Sequence, residues 1–253
     1  MPNALKLGEM DTNEVTLLAI LYTDGCLSRK SKNSWRLFLG NTSWQIIELF
    51  KQSLINLFNL PETRIRISKK LVNGKPYFKA VVDCKEIGDY LFDKYGTFRT
   101  LKYVSETNVS YYPKTCLPDC LAKDKMIICR FLKIAFSCDG GINLYVARNK
   151  YTWLIRNVYL ACQHPTLVQQ YINLLKKVGI EGKIIWKDEI LRIQGREDLE
   201  QFANSIGFLE GVNITQHSAY WQGVEKQKVL QLAIASYGNP KEIYNLPQFR
   251  VKI

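Results

Sequence analysis

Two aspartates, Asp24 and Asp139, each stand at the end of an apolar stretch and directly before a glycine. The segments read Leu17-Leu18-Ala19-Ile20-Leu21-Tyr22-Thr23-Asp24-Gly25 and Leu132-Lys133-Ile134-Ala135-Phe136-Ser137-Cys138-Asp139-Gly140. Both have the apolar spacing of a helix, and they lie about one small domain apart in the chain. A single Asp-Gly is an ordinary helix-ending turn. Two in matched surroundings point to pseudo-symmetric halves that meet at a shared acidic centre. Carboxylates held together repel and titrate as a coupled pair, so such a centre calls for a bound cation.

The elements that must position them recur in the same order. Asp11 to Glu14 has the pattern of a capping box, which predicts a helix to about Tyr22 with Gly25 as its stop. A polar turn (28–34) and a strand (35–39) follow. Ser43 then caps a helix carrying Ile47, Phe50, Leu54 and Leu57, which Pro61 ends. Residues 64–68 and 77–81 alternate as strands around Asn73-Gly74, a hairpin signal, and residues 85–96 form a closing helix. The second half gives a helix (121–138), strands (144–148 and 153–160), a helix (166–178), strands (183–187 and 190–194) and a helix (196–207). A last helix covers about 225–237. The fold class is α+β, with two α-β-β-α-β-β-α repeats at 1–104 and 120–253. The linker, 105–119, holds Pro113 and Pro118.

The chain has 253 residues, 47% of them hydrophobic, which is ordinary for a globular protein. Its balance of 35 Lys+Arg against 23 Asp+Glu leaves +12, and that excess favours a polyanionic partner. No apolar run reaches the roughly 18–20 residues of a membrane span, and the first residues do not read as a signal peptide. With no amphipathic basic helix either, no membrane partner is expected. Seven scattered cysteines imply free thiols in a reducing intracellular compartment, cytoplasm or organelle matrix. Cys116 and Cys120 have a zinc-like spacing, but with only His164 and His217 in the chain a second ligand pair is missing. Trp35, Trp44, Trp153 and Trp186 are expected in the cores.

In these two segments and in the order of its elements, nearly the whole chain resembles a single-chain LAGLIDADG homing endonuclease. The motif that names the family aligns with residues 17–25 and 132–140. The family's small third residue is Ala19 in the first copy; Ile134 stands there in the second, with Ala135 beside it. Its metal-binding acid is Asp24 and Asp139. The resemblance implies motif helices packed together, a β-sheet saddle over duplex DNA, and metal-assisted hydrolysis of phosphodiester bonds at a long asymmetric target. Mg²⁺ suits one or two carboxylates completed by phosphate oxygens and water, with Mn²⁺ or Ca²⁺ as substitutes in binding. The family often sets a Lys or Gln near the metal, ahead of the second helix of each repeat. The matching segments, 40–43 and 162–165, offer Asn41 and Gln163 to orient water, and no lysine. His164 is either a base or phosphate contact, or a cap for the helix at Thr166.

Strand alternation supplies the DNA face. Arg36, Arg64, Arg66, Lys70, Lys75, Tyr77 and Lys79 are its candidates in the first repeat. Arg148, Lys150, Arg156, Lys183, Lys187, Arg192 and Gln194 are those of the second. A basic two-stranded ribbon can enter the major groove, with Arg and Lys reaching guanines and phosphates. The first expectation is therefore a monomeric, metal-dependent, site-specific DNA endonuclease. The alternative on the same fold is an intron RNA maturase, or a DNA-binding protein that has lost cleavage.

Overall fold

The structure is a computed structural model that describes residues 10–104, 110–148, 152–181, 183–215, 218 and 220–249. The first repeat runs α1 (Thr12–Leu21), β1 (Gly25–Ser31), β2 (Ser34–Asn41), α2 (Trp44–Phe58), β3 (Arg66–Val72), β4 (Lys75–Asp83) and α3 (Lys85–Tyr95). A small ribbon of β5 (Tyr103–Val104) and β6 (Ser110–Tyr111) follows. The second repeat runs α4 (Lys125–Cys138), β7 (Gly140–Arg148), β8 (Thr152–Ala161), α5 (Pro165–Lys177), β9 (Lys183–Lys187), β10 (Ile190–Gln194) and α6 (Arg196–Ser205). Two further helices, α7 (Lys226–Ala235) and α8 (Pro240–Tyr244), complete it.

Each repeat builds an antiparallel four-stranded sheet of matching order, β1-β2-β4-β3 and β7-β8-β10-β9. This is the expected α+β fold. Helices cover one face of each sheet, and α1 packs on α4 between the repeats. Leu17 to Leu21 are fully buried, as are Phe131, Leu132, Ala135 and Phe136. Ile134 is buried too, so the second helix accommodates its larger residue with Ala135 alongside. Among the described residues no helix is long and apolar enough to cross a membrane, and all seven cysteines are free.

Several local expectations give way. Residues 28–31 belong to β1, because a ribbon open to solvent on both sides needs no apolar alternation. α2 ends at Asn59, which adopts the left-handed conformation, before Pro61 is reached. The helix expected over 121–138 is divided: a short 3₁₀ turn occupies Asp119–Ala122, and Asp124 caps α4 by accepting from the Ile127 N–H at 2.9 Å. α8, after Gly238, was not anticipated. Of the four tryptophans only Trp35 is buried; Trp44, Trp153 and Trp186 are 43%, 40% and 42% exposed. The Asn73-Gly74 hairpin forms as expected, with positive φ of 51° and 75°.

Glu14 does not close a capping box. Asp11 accepts from the Asn13 N–H at 2.6 Å, while Glu14 is buried between α1 and α3. There it accepts from Tyr90 at 2.7 Å, Lys94 at 2.8 Å and Tyr95 at 2.6 Å. Burial pushes its pKa up, but the bonds from Lys94, Tyr95 and Tyr90 outweigh it and leave the carboxyl below its ordinary range. A depressed pKa gives stability that is present above the ordinary glutamate range and lost as pH falls through the depressed value. Glu14→Gln should therefore cost about 2–3 kcal/mol at pH 7 and progressively less toward pH 3, measured by denaturant unfolding.

Candidate active site and nucleic-acid interface

Both aspartates leave their helices at a sharp turn into a strand. A Cβ on Gly25 would lie 2.8 Å from the Ile20 carbonyl, and one on Gly140 2.6 Å from the carbonyls of Phe136 and Tyr159. Only glycine lets β1 and β7 start so close to the helix that delivers the acid. Asp139 caps α4, its N–H donating to Ala135 O at 3.1 Å, and its own carbonyl accepts from Ala161 N at 3.0 Å. Thr23 Oγ1 donates to Ala19 O at 2.7 Å, steadying the same position in the first repeat.

The packing of α1 on α4 brings the two carboxyls into hydrogen-bond contact with each other. Burial raises the pKa of both. For Asp139 the Asp24 carboxylate beside it adds to the rise, so Asp139 gives up its proton less readily than an ordinary aspartate. For Asp24 the bond to Asp139, the Lys226 charge and the bond from Asn41 partly offset it. Asn41 Nδ2 donates to Asp24 Oδ2 at 2.6 Å, and its Oδ1 accepts from Ser43 N at 2.7 Å, which fixes the amide's orientation. By strand register, Asn41 of the first repeat corresponds to Cys162 of the second. Gln163 lies one residue further on and shares with Asp139 the wall of a cavity of about 270 Å³. A larger cavity of about 540 Å³ opens on the other side of Asp139.

That larger cavity holds a residue the sequence did not single out. Lys226, the first residue of α7, is 6% exposed, and its Nζ donates to Ser137 O at 2.7 Å and Gly140 O at 2.6 Å. Burial lowers its pKa to about 8, against the pull of Cys138, Asp24 and Asp139. Segments 40–43 and 162–165 hold no lysine; this one comes from a helix far along the chain. The Lys226 N–H donates to Val212 O at 2.9 Å, and Gln227 accepts from the Phe208 N–H at 2.9 Å, which anchors that helix start. One signal was available: a lysine in a first helical turn opposes the helix dipole.

His164 resolves as a cap. It is buried, its Nδ1 accepts from Leu167 N at 3.4 Å, and its Nε2 reaches Pro113 O at 2.8 Å. Both ring nitrogens are spent on structure.

The sheet faces turned away from the helices carry most of the predicted nucleic-acid residues. In the first repeat Arg36, Arg66, Lys70, Lys75, Tyr77 and Lys79 share that face by register. Lys70 lies over the Tyr77 ring at 5.5 Å and Lys79 over Phe38 at 5.9 Å. Arg64 sits in the 3₁₀ turn Glu62–Arg64 before β3 and donates to Asp83 O at 3.2 Å. In the second repeat Lys187, Arg192 and Gln194 take the same face. Lys150 lies outside the described residues, and only the backbones of Arg148 and Lys183 are described.

Arg156 is a correction. It lies between Leu154 and Val158 on the helix-covered face of β8, where Nε donates to Ser236 Oγ at 2.7 Å and Nη2 to Ser236 O at 3.0 Å. Its guanidinium also rests on the Tyr237 ring at 4.4 Å. The residue clamps the end of α7, which the alternation of Leu154, Arg156 and Val158 already indicated. Arg156→Ala should lower stability by about 1–3 kcal/mol in thermal unfolding while leaving the salt dependence of DNA binding unchanged.

The family description "LAGLIDADG-like domain" matches residues 127–207. No curated protein sequence matches the chain. Among solved structures, meganuclease I-SmaMI bound to uncleaveable DNA is similar with a TM-score of 0.54 at 14% identity, over 96% of this chain and 98% of that one. The same LAGLIDADG homing endonuclease bound to cleaved DNA gives 0.52 at 12%, over 96% and 94%. LAGLIDADG meganuclease I-AabMI bound to uncleaved DNA gives 0.51 at 13%, over 94% of each chain. Residues 127–207 thus match a LAGLIDADG-like domain, and the chain as a whole shares the two-repeat fold of these LAGLIDADG structures.

Proposed function

We propose that the protein is a site-specific double-strand DNA endonuclease of the homing type, acting as a monomer on a long asymmetric target. One observation carries the reading: the chain's two motif aspartates meet, with a buried lysine beside them, between two basic antiparallel sheets. The similar solved structures carrying DNA support the same use of the fold.

Asp24 and Asp139 fit a divalent cation. Their carboxylates repel each other in a buried setting, and a dication would remove that repulsion. Among the described residues no group of three or more His, Cys, Asp or Glu forms a self-sufficient cage. A dyad completed by phosphate oxygens and water is the arrangement Mg²⁺ favours. The bound ion would polarise the scissile phosphate and lower the pKa of the attacking water. Asn41 holds Asp24 in place for it. Lys226 spends two of its three N–H donors on carbonyls and sets positive charge where the phosphate's negative charge grows. In the reaction a water oxygen replaces one P–O linkage, and the leaving oxygen takes up a proton.

The test is incubation with uninterrupted insertion-site duplexes in Mg²⁺, with EDTA as control. Specific double-strand cleavage that stops on chelation, with binding retained, is the expected result. Tight, specific binding with no cleavage in Mg²⁺ or Mn²⁺ would refute the enzyme.

A further inference from the structure

We propose that Arg36, Arg66 and Asp83 form one prearranged unit that reads a G·C pair in the major groove, with Arg66 contacting guanine and Asp83 as its positioning residue. The inference rests on the DNA-endonuclease reading above. Asp83 lies on the DNA-facing side of the first sheet, opposite Arg36 in register. Its Oδ1 accepts from Arg36 Nε at 2.8 Å. Its Oδ2 accepts from Arg36 Nη2 at 2.9 Å, Arg66 Nη2 at 2.8 Å and Lys30 Nζ at 3.2 Å.

A carboxylate in the middle of a phosphate-binding face works against affinity, so its presence there needs another use. It cross-ties three long cationic side chains that would otherwise move independently. The two arginines are held differently. Arg36 gives Asp83 the whole Nε–Nη2 edge of its fork. Arg66 gives only Nη2, keeps Nε and Nη1, and is the more open of the two, with side-chain exposures of 62% against 38%. A fixed fork with donors to spare matches the paired O6 and N7 acceptors of guanine.

The second repeat lacks the unit. By register, Arg36, Asp83 and Arg66 correspond to Asn157, Gln194 and Ile185, and Asn157 accepts instead from Asn143 Nδ2 at 3.0 Å. One address on the saddle is ionic in the first half and neutral in the second, so the two half-sites are read with different chemistry there.

The experiment selects bound sequences from a randomised duplex library without added metal, using wild type, Asp83→Asn and Arg66→Lys, and follows binding to bulk duplex DNA against salt. Wild type should recover a guanine at one position of the first half-site. Both variants should lose it there and nowhere else. Asp83→Asn should also bind bulk DNA more tightly at low salt and lose ~3-fold more affinity between 50 and 200 mM salt, as for one added phosphate contact. Arg66→Lys, which keeps its charge, should not. Selected sites that Asp83→Asn leaves unchanged would overturn this proposal alone. A wild type that selects no duplex at all would overturn the endonuclease reading with it.

Discussion

Asp24→Asn and Asp139→Asn are each expected to reduce cleavage by at least about 10³-fold while DNA binding changes only a few-fold. An amide offers a metal one neutral oxygen in place of a charged carboxylate, so several kcal/mol of transition-state stabilisation go with the charge. The binding faces lie on the sheets, away from the substitution, and retain their basic residues. Single-turnover cleavage and a binding titration on one target separate the two quantities.

The same variants carry an opposite expectation for stability without metal. Burial and the adjacent Asp24 raise the Asp139 pKa well above the ordinary aspartate range. A carboxyl whose folded pKa is raised contributes most below its unfolded pKa, and that contribution is lost as pH rises through the raised value. Metal-free wild type should therefore weaken from pH 4 toward pH 8. Asp139→Asn should flatten that slope and have the higher Tm at pH 8. A lower Tm for Asp139→Asn at pH 8 would contradict the described contact between the carboxyls.

Lys226→Met should lower the cleavage rate by about 10²–10³-fold, comparable to removing one preorganised donor from a transition-state charge. Binding in the absence of cleavage should hold, because Lys226 is buried beside Asp139 and does not lie on the DNA-facing strands. Stability should also fall, since the Ser137 and Gly140 carbonyls lose their donor, at about 1–3 kcal/mol for an unmet buried polar group. Arginine at the same site should not rescue the rate: its planar fork is too large for a position that holds one ammonium between two carbonyls. A Lys226→Met enzyme cutting at the wild-type rate would reduce the residue to a structural tie.

The acidic centre was legible because its two halves are written in the same local code, an apolar helix that runs into Asp-Gly. The strand pairs were legible for a similar reason: Arg66 to Val72 and Lys75 to Asp83 alternate around a turn whose chemistry is unambiguous. What escaped was non-local. Lys226 lies far along the chain from either aspartate, and its unusual place in a first helical turn does not say that α7 begins against the end of α4. Asp83 meets Arg36 only through the register, which sets the two opposite each other on β2 and β4. Glu14 satisfied a capping pattern in sequence, but three partners on α3, Tyr90, Lys94 and Tyr95, offered it stronger bonds than its own helix start. Arg156 carries a charge that suits a DNA face, but its strand alternation with Leu154 and Val158 sets it on the helix-covered side, where Ser236 receives it.

The packing of α1 on α4 has a consequence for how the protein could change over time. Each helix contributes one carboxylate, so in the proposed enzyme cutting would be a logical conjunction of two halves, whereas recognition would be divided between them. Either sheet can drift toward a new half-sequence while the other stays put, provided the helix seam is kept. Such a chain can acquire new addresses by recombining halves, and the residues least free to vary in that process are those of the seam, Ala19 and Ala135 among them, and the two glycines that follow the acids.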